Sequence, residues 1–154
     1  MAAMPSSLAD LLSEKQITLD LQDQTHSGAL REVVDLFGPN PCVHDLNGFH
    51  EALLSREKVN STVVGNGIAF PHARTDCVDK IVLAVGRSTK GVKFDNSAEP
   101  VHLIFVIGTP KALISDYLIC VGSLARSVKN KEICEKLMQA KTPAEFIDVL
   151  KNQK

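Results

Sequence analysis

The chain has 154 residues, 44% of them hydrophobic, and 17 basic against 18 acidic side chains, which suits one ordinary domain with its own core over residues 1–154. Balanced charge and the lack of any Lys/Arg run argue against nucleic-acid binding. No apolar stretch approaches the roughly 18 residues of a bilayer span, and "MAAMPSSLADLLSEK" turns charged too early for a signal peptide, so a soluble, cytoplasmic protein is expected. Cys42, Cys77, Cys120 and Cys134 form no C-x-x-C pair and read as reduced thiols, Cys120 and Cys134 in core-facing helix positions.

In chain order, "LADLLSEKQ" predicts a short helix leading into the strand "ITLDL", where Ile17, Leu19 and Leu21 alternate. Thr25 is placed to cap a helix whose apolar positions Ala29, Leu30, Val33, Val34 and Phe37 fall on a helical period, and "GPNP" ends it. A second helix is expected from about Asp45 to Ser55. The next stretch, "REKVNSTVVGNGIAFPHAR", holds too much Gly, Asn and Pro for an element interior, with "GIAF" its only expected strand. "KIVLAVGRS" and "VHLIFVIGTP" are near-continuous apolar runs, the pattern of central strands covered on both faces, with "GVKF" a short strand between them. Three helices follow: "LISDYLICVGSLARSVK", "KEICEKLMQA" and "TPAEFIDVLKN". The last shows its start plainly, with Thr142 as cap, Pro143 at the first helical position and Glu145 three residues after the cap. The assembly expected is a three-layer α/β domain, a mixed β-sheet flanked by helices on both faces.

The chemistry concentrates in "GNGIAFPHAR", residues 65–74. Pro71 fixes its own φ and biases Phe70 toward an extended conformation, so His72 leaves the backbone where there is little freedom. Gly65 and Gly67 permit turns or a close approach of backbone amides to a ligand. A neutral imidazole can use one ring nitrogen as nucleophile while a hydrogen bond holds the other, which suits a phosphoryl acceptor. Phosphoryl transfer then needs positioned donors more than acid–base groups, and Arg56, Arg74, Ser61, Thr62 and the glycine amides are near in sequence. The chain has neither a G-x-x-x-x-G-K-[ST] loop nor a kinase-type loop set, so a phosphoprotein is a better donor than ATP.

The run "SREKVNSTVVGNGIAFPHAR", Ser55 to Arg74, resembles the active-site segment of IIA domains of the bacterial phosphoenolpyruvate-dependent sugar phosphotransferase system, mannitol/fructose class, which includes the free-standing nitrogen-type IIA proteins. An Arg-Glu pair, a Ser-Thr pair, G-x-G and Pro-His stand at the family's spacings, and the resemblance covers essentially the whole chain. It implies that His72 is phosphorylated by an HPr-type carrier, that Arg56 helps hold the phosphoryl group, and that Ser61, Thr62 and Gly67 line the pocket. It implies no metal and no organic cofactor. The group would pass to a cysteine of a IIB domain for sugar uptake, or the phosphorylation state would itself be the signal read by a regulatory target. One departure is Tyr117, which aligns where the family commonly carries a second histidine. Tyrosine can still donate to a phosphate oxygen but stays neutral. That departure motivates the alternative of a regulatory binding module that works without phosphorylation.

The other histidines have plainer readings. His26, His44 and His50 are expected as surface or capping residues and His102 as a structural residue at a strand end or, failing that, a pocket residue. None stand at i, i+4 on one helix with an acidic or cysteine ligand, which argues against a metal site. A hydrolase built on Ser61 or Cys77 with His72 lacks an oxyanion hole and an orienting acid. "GRSTKG" is too short for a phosphate loop, and Arg126 and Lys129 read as a solvated helix face. Phe70, Val64 and Ile68 are the apolar candidates for docking a small carrier beside His72.

Overall fold

The computed structural model describes residues 11–59, 61–95, 97–112, 122, 126, 128 and 130–151. A 3-10 turn at Glu14–Gln16 precedes β1 (Ile17–Thr18), α1 (His26–Asp35) and α2 (Leu46–Val59). Three short strands follow, β2 (Val63–Gly65), β3 (Ile68–Ala69) and β4 (His72–Arg74), then the long β5 (Val82–Val92) and β6 (Val101–Thr109), and finally α3 (Lys131–Gln139) and α4 (Pro143–Lys151). The sheet runs β1-β5-β6-β3-β2, with β4 also on β6. It is mixed: β5 and β6 are antiparallel, while β1 on β5 and β3 and β4 on β6 are parallel.

Alternation along β5 and β6 explains their continuous apolar runs. Leu83, Val85, Leu103, Phe105 and Ile107 face the layer of Leu137, Phe146, Ile147 and Leu150 from α3 and α4. Val82, Ala84, Ile104 and Val106 face Leu30, Val33, Val34, Phe49 and Leu53 from α1 and α2. Both faces are thus dry, as expected for central strands of a three-layer domain. Close approach of α2 depends on a missing side chain: a Cβ on Gly108 would lie 2.6 Å from Phe49 Cζ.

The helix starts follow the sequence signals. Thr25 Oγ1 accepts the Gly28 N–H at 3.1 Å, and Thr142 Oγ1 accepts the Glu145 N–H at 3.1 Å while the Glu145 carboxylate takes the Lys141 N–H. At the other end of α3, buried Arg87 donates from the sheet to the carbonyls of Leu137 and Ala140 at 2.9 and 2.7 Å, satisfying groups a helix terminus leaves open. Of the expected helix over 113–129, Gly122, Arg126 and Val128 are described and helical, with Arg126 exposed and Val128 buried. Cys120 and Lys129 lie outside the described residues.

Three expectations need correction. The 56–74 stretch is not mainly irregular: α2 continues through Val59, and β2, β3 and β4 lie within it. Short strands there are held by pairing to one another and to β6, which overrides weak local propensity. "GVKF" is not a separate strand, since β5 continues to Val92 through a register shift between Arg87 and Val92. His26 is buried at 5% exposure, not a surface residue, because its ring stacks on Phe94 with centroids 3.8 Å apart.

Candidate functional site

The site begins with α2. Phe49, Leu53 and Glu57 form its buried stripe, and continuation of that stripe past Ser55 puts Arg56 in the last helical turn instead of a loop. Helical backbone holds the base of a long cation better than loop backbone would.

β3 and β4 are two pieces of one line along the edge of β6. Ile68 pairs with Leu103 and His72 with Ile107, in the same register. Pro71 has no N–H for the ladder, which interrupts it there, but the Pro71 carbonyl accepts the Ile107 N–H at 2.9 Å. On the other side Phe70 N–H donates to the Thr62 carbonyl at 3.0 Å. β2 is antiparallel to β3 with Val63 opposite Ala69, and the same register carried back sets Ser61 beside Pro71. His72 is therefore flanked by β6 on one side, while the Ser61–Thr62 segment lines the two residues before it, Phe70 and Pro71, on the other.

The ring itself is oriented by its own backbone. His72 Nδ1–H donates to the Phe70 carbonyl at 2.6 Å, leaving the lone pair on Nε2. Burial of the half-buried ring is the largest influence on its titration and pushes the pKa below the ordinary value. The Phe70 carbonyl opposes this, and the Arg56 guanidinium adds to it by disfavouring a second positive charge. A neutral imidazole with its lone pair on Nε2 and an arginine within electrostatic reach has the chemistry of a nucleophile beside an anion-stabilising charge.

The shift has a sign that can be measured. Because His72 titrates lower in the folded chain, the unfolded chain takes the proton first, so native stability falls as pH drops from about 6.5 toward the folded value and is unaffected above it. An NMR titration should give His72 a midpoint below about 6.5, and Arg56→Gln should move it upward. An unchanged or lower midpoint in that variant would remove Arg56 from the site.

The remaining sequence candidates are placed as follows. Arg74 is exposed and, two residues along β4, shares the face of His72. Ser61 is exposed, its Oγ accepting the Val63 N–H at 3.2 Å. Thr62 is buried and its hydroxyl donates to Glu57, so it serves the site through its carbonyl. Gly65 and Gly67 do not join His72. They make the β2–β3 turn, with φ of +102° and +74°, and five extended residues put Gly67 about 17 Å from His72 along the strand. The same separation carries His102 away: its Nδ1–H donates to the Ser88 carbonyl at 2.8 Å. It also borders, with Asn66, Gly67 and Met138, a cavity of about 220 Å³ at that far end. Tyr117 lies outside the described residues.

Among the apolar docking candidates, Phe70 and Ile68 are buried in the core and Val64 is exposed, as is Val59 at the end of α2. Among the described residues no group of three or more His, Cys, Asp or Glu could hold a metal ion, and no helix is long and apolar enough to cross a membrane. The sequence reading missed Glu57 as part of the site's support. Its signal was the four-residue spacing Phe49, Leu53, Glu57, which continues a buried stripe into a charged position.

The chain matches the family described as Phosphoenolpyruvate-dependent sugar phosphotransferase system, EIIA 2, over residues 10–153. It is 37% identical over 135 residues to the PTS system fructose-specific EIIA component of Haloferax volcanii, which covers 87% of this chain and 88% of that one. To the PTS system fructose-specific EIIABC component of Bacillus subtilis it is 29% identical over 144 residues, 93% of this chain, while spanning 23% of that relative's length. Among solved structures, Nitrogen Regulatory Protein IIA-Ntr from Neisseria meningitidis superposes with a TM-score of 0.85 at 28% identity, over 93% of this chain and 98% of that one. By the match over residues 10–153 and the 37% identity to a relative covered over most of its length, the chain belongs to the EIIA type 2 family of the phosphoenolpyruvate-dependent sugar phosphotransferase system.

Proposed function

We propose that the chain is a cytoplasmic phosphocarrier, a single IIA unit that accepts a phosphoryl group on Nε2 of His72 from an HPr-type phosphoprotein. The observation that carries this reading is the Nδ1–H bond to the Phe70 carbonyl, which puts the ring's nucleophilic lone pair on Nε2. In the step, the Nε2 lone pair attacks phosphorus and an Nε2–P bond forms. The donor's N–P bond breaks, and its electron pair returns to the donor imidazole. The His72 proton stays on Nδ1, where the Phe70 carbonyl supports the positive character the ring acquires. Arg56 faces the charge spread over the transferring oxygens, Ser61 supplies a hydroxyl at the rim, and Arg74 adds a second cation on the same face.

Exposed Val59 and Val64 flank the Ser61–Thr62 segment and give a docking partner apolar contact close to the acceptor. From His72 the group passes to a IIB cysteine, or its presence is read by a regulatory target. Tyr117 keeps the phosphorylation-independent module as the rival. Intact mass of the protein after incubation with phosphoenolpyruvate, enzyme I and an HPr-type carrier decides between them. An acid-labile gain of about 80 Da is expected, and no gain with any carrier would favour the rival.

A further inference from the structure

Behind the Ser61–Thr62 segment lies a buried polar pair that takes no direct part in the transfer. Glu57, one residue after Arg56, is 4% exposed, and His26, at the start of α1, is 5% exposed. Asp95 N–H donates to His26 Nδ1 at 3.2 Å, so the neutral ring carries its proton on Nε2. That Nε2 faces Glu57 Oε2 across 3.7 Å, and neither atom has a hydrogen-bond partner. Two orphan polar atoms of opposite character, buried face to face, satisfy one another when the gap closes by roughly 1 Å. The Asp95 carboxylate, 3.5 Å from His26 Nδ1, is a second charge near the ring, and its side chain is solvent-exposed.

The second Glu57 oxygen leads to the acceptor. Oε1 takes the Thr62 hydroxyl proton, the Thr62 carbonyl takes the Phe70 N–H, and the Phe70 carbonyl takes His72 Nδ1–H. Three hydrogen bonds, linked through the residues Thr62 and Phe70, thus connect Glu57 to the imidazole.

We propose that Glu57 is a positioning residue for His72, with His26 as its buried partner. The pair fixes Thr62, Thr62 fixes the Phe70 backbone through its N–H, and the carbonyl of the same residue holds His72 in the tautomer that keeps its lone pair on Nε2. Glu57 touches neither phosphorus nor the ring. The inference rests on His72 being the acceptor, and the deciding readout of its test therefore needs no phosphoryl donor.

Ring nitrogen shifts of His72 in the ¹⁵N-histidine-labelled full chain report the tautomer directly. The wild type is expected to show the separated pair of shifts of an Nδ1–H imidazole. In Glu57→Ala and in Thr62→Val the two shifts should move toward their average, and the rate of phosphoryl acceptance should fall about tenfold, the scale of one hydrogen bond to a charged group. Glu57→Gln keeps an acceptor for the Thr62 hydroxyl and should retain the wild-type shifts. Thr62→Val decides alone if Glu57→Ala does not fold. His72 shifts unchanged in the folded variants, or displaced as much by Glu57→Gln as by Glu57→Ala, would overturn the proposal. A wild type that shows the expected tautomer yet takes up no phosphoryl group from any carrier would instead sink the acceptor reading and leave the positioning result standing.

Discussion

His72→Ala and His72→Gln proteins should gain no mass on incubation with phosphoenolpyruvate, enzyme I and an HPr-type carrier, where the wild type takes up one phosphoryl group. The transfer needs a nitrogen lone pair in the plane of an aromatic ring, aimed outward and not spent on a proton. Alanine removes the ring. Glutamine reaches a similar depth, but its amide nitrogen shares its lone pair with the carbonyl and carries two protons, so it cannot attack phosphorus. Arg56→Gln should retain the acceptor and lose rate, by about 10²–10³ if the guanidinium acts as a donor to the developing charge. A His72→Ala protein that still gained an acid-labile group would point to another histidine, with exposed His44 first in line. That result would dissolve the link between Pro71-imposed stiffness and function.

Phe105→Ala is expected to cost about 3–5 kcal/mol of stability. Phe105 is fully buried and lies between two aromatic neighbours, Phe70 at 5.4 Å and Phe146 at 6.4 Å between ring centroids. It therefore joins the segment that leads into His72 to α4, within one core cluster. A domain of this kind has about 5–15 kcal/mol in all, so truncation removes a large share of it. Urea unfolding should show a lower midpoint with the slope preserved. A loss below about 1 kcal/mol would mean that the core collapses around the missing ring, contrary to the close packing seen on both sides.

Much of the fold could be read in advance, and the reason is physical. The runs in β5 and β6 are apolar on both faces because two helical layers cover them, and the caps at Thr25 and Thr142 are local chemistry, complete within four residues. The strands β2, β3 and β4 were largely illegible because what holds them is remote. "VVG", "IA" and "HAR" are too short to declare themselves, and their order comes from β6 and from one another. His72 could be singled out from the Pro-His segment and Arg56 from its nearness in sequence and the family resemblance, but not the helical turn that carries Arg56. The distance of Gly65 and Gly67 from His72 could not, since nearness in sequence becomes about 17 Å once the segment is extended. The burial of His26 likewise depends on Phe94, a residue far along the chain whose ring meets it only in the folded sheet.

The pairing of His72 with Ile107 also bears on how the protein is made. The strand that pairs with His72 is synthesised well after His72 itself, and every ladder contact of β3 and β4 with β6 joins residues far apart in the chain. The antiparallel β5–β6 pair, joined by a short connection, can form early because little chain entropy is lost in closing it. The proposed site is consequently assembled late during translation: a nascent chain that has not yet emptied residues 101–109 from the ribosome displays His72 on a segment without its β6 partner, chemically complete but without the geometry that orients its ring.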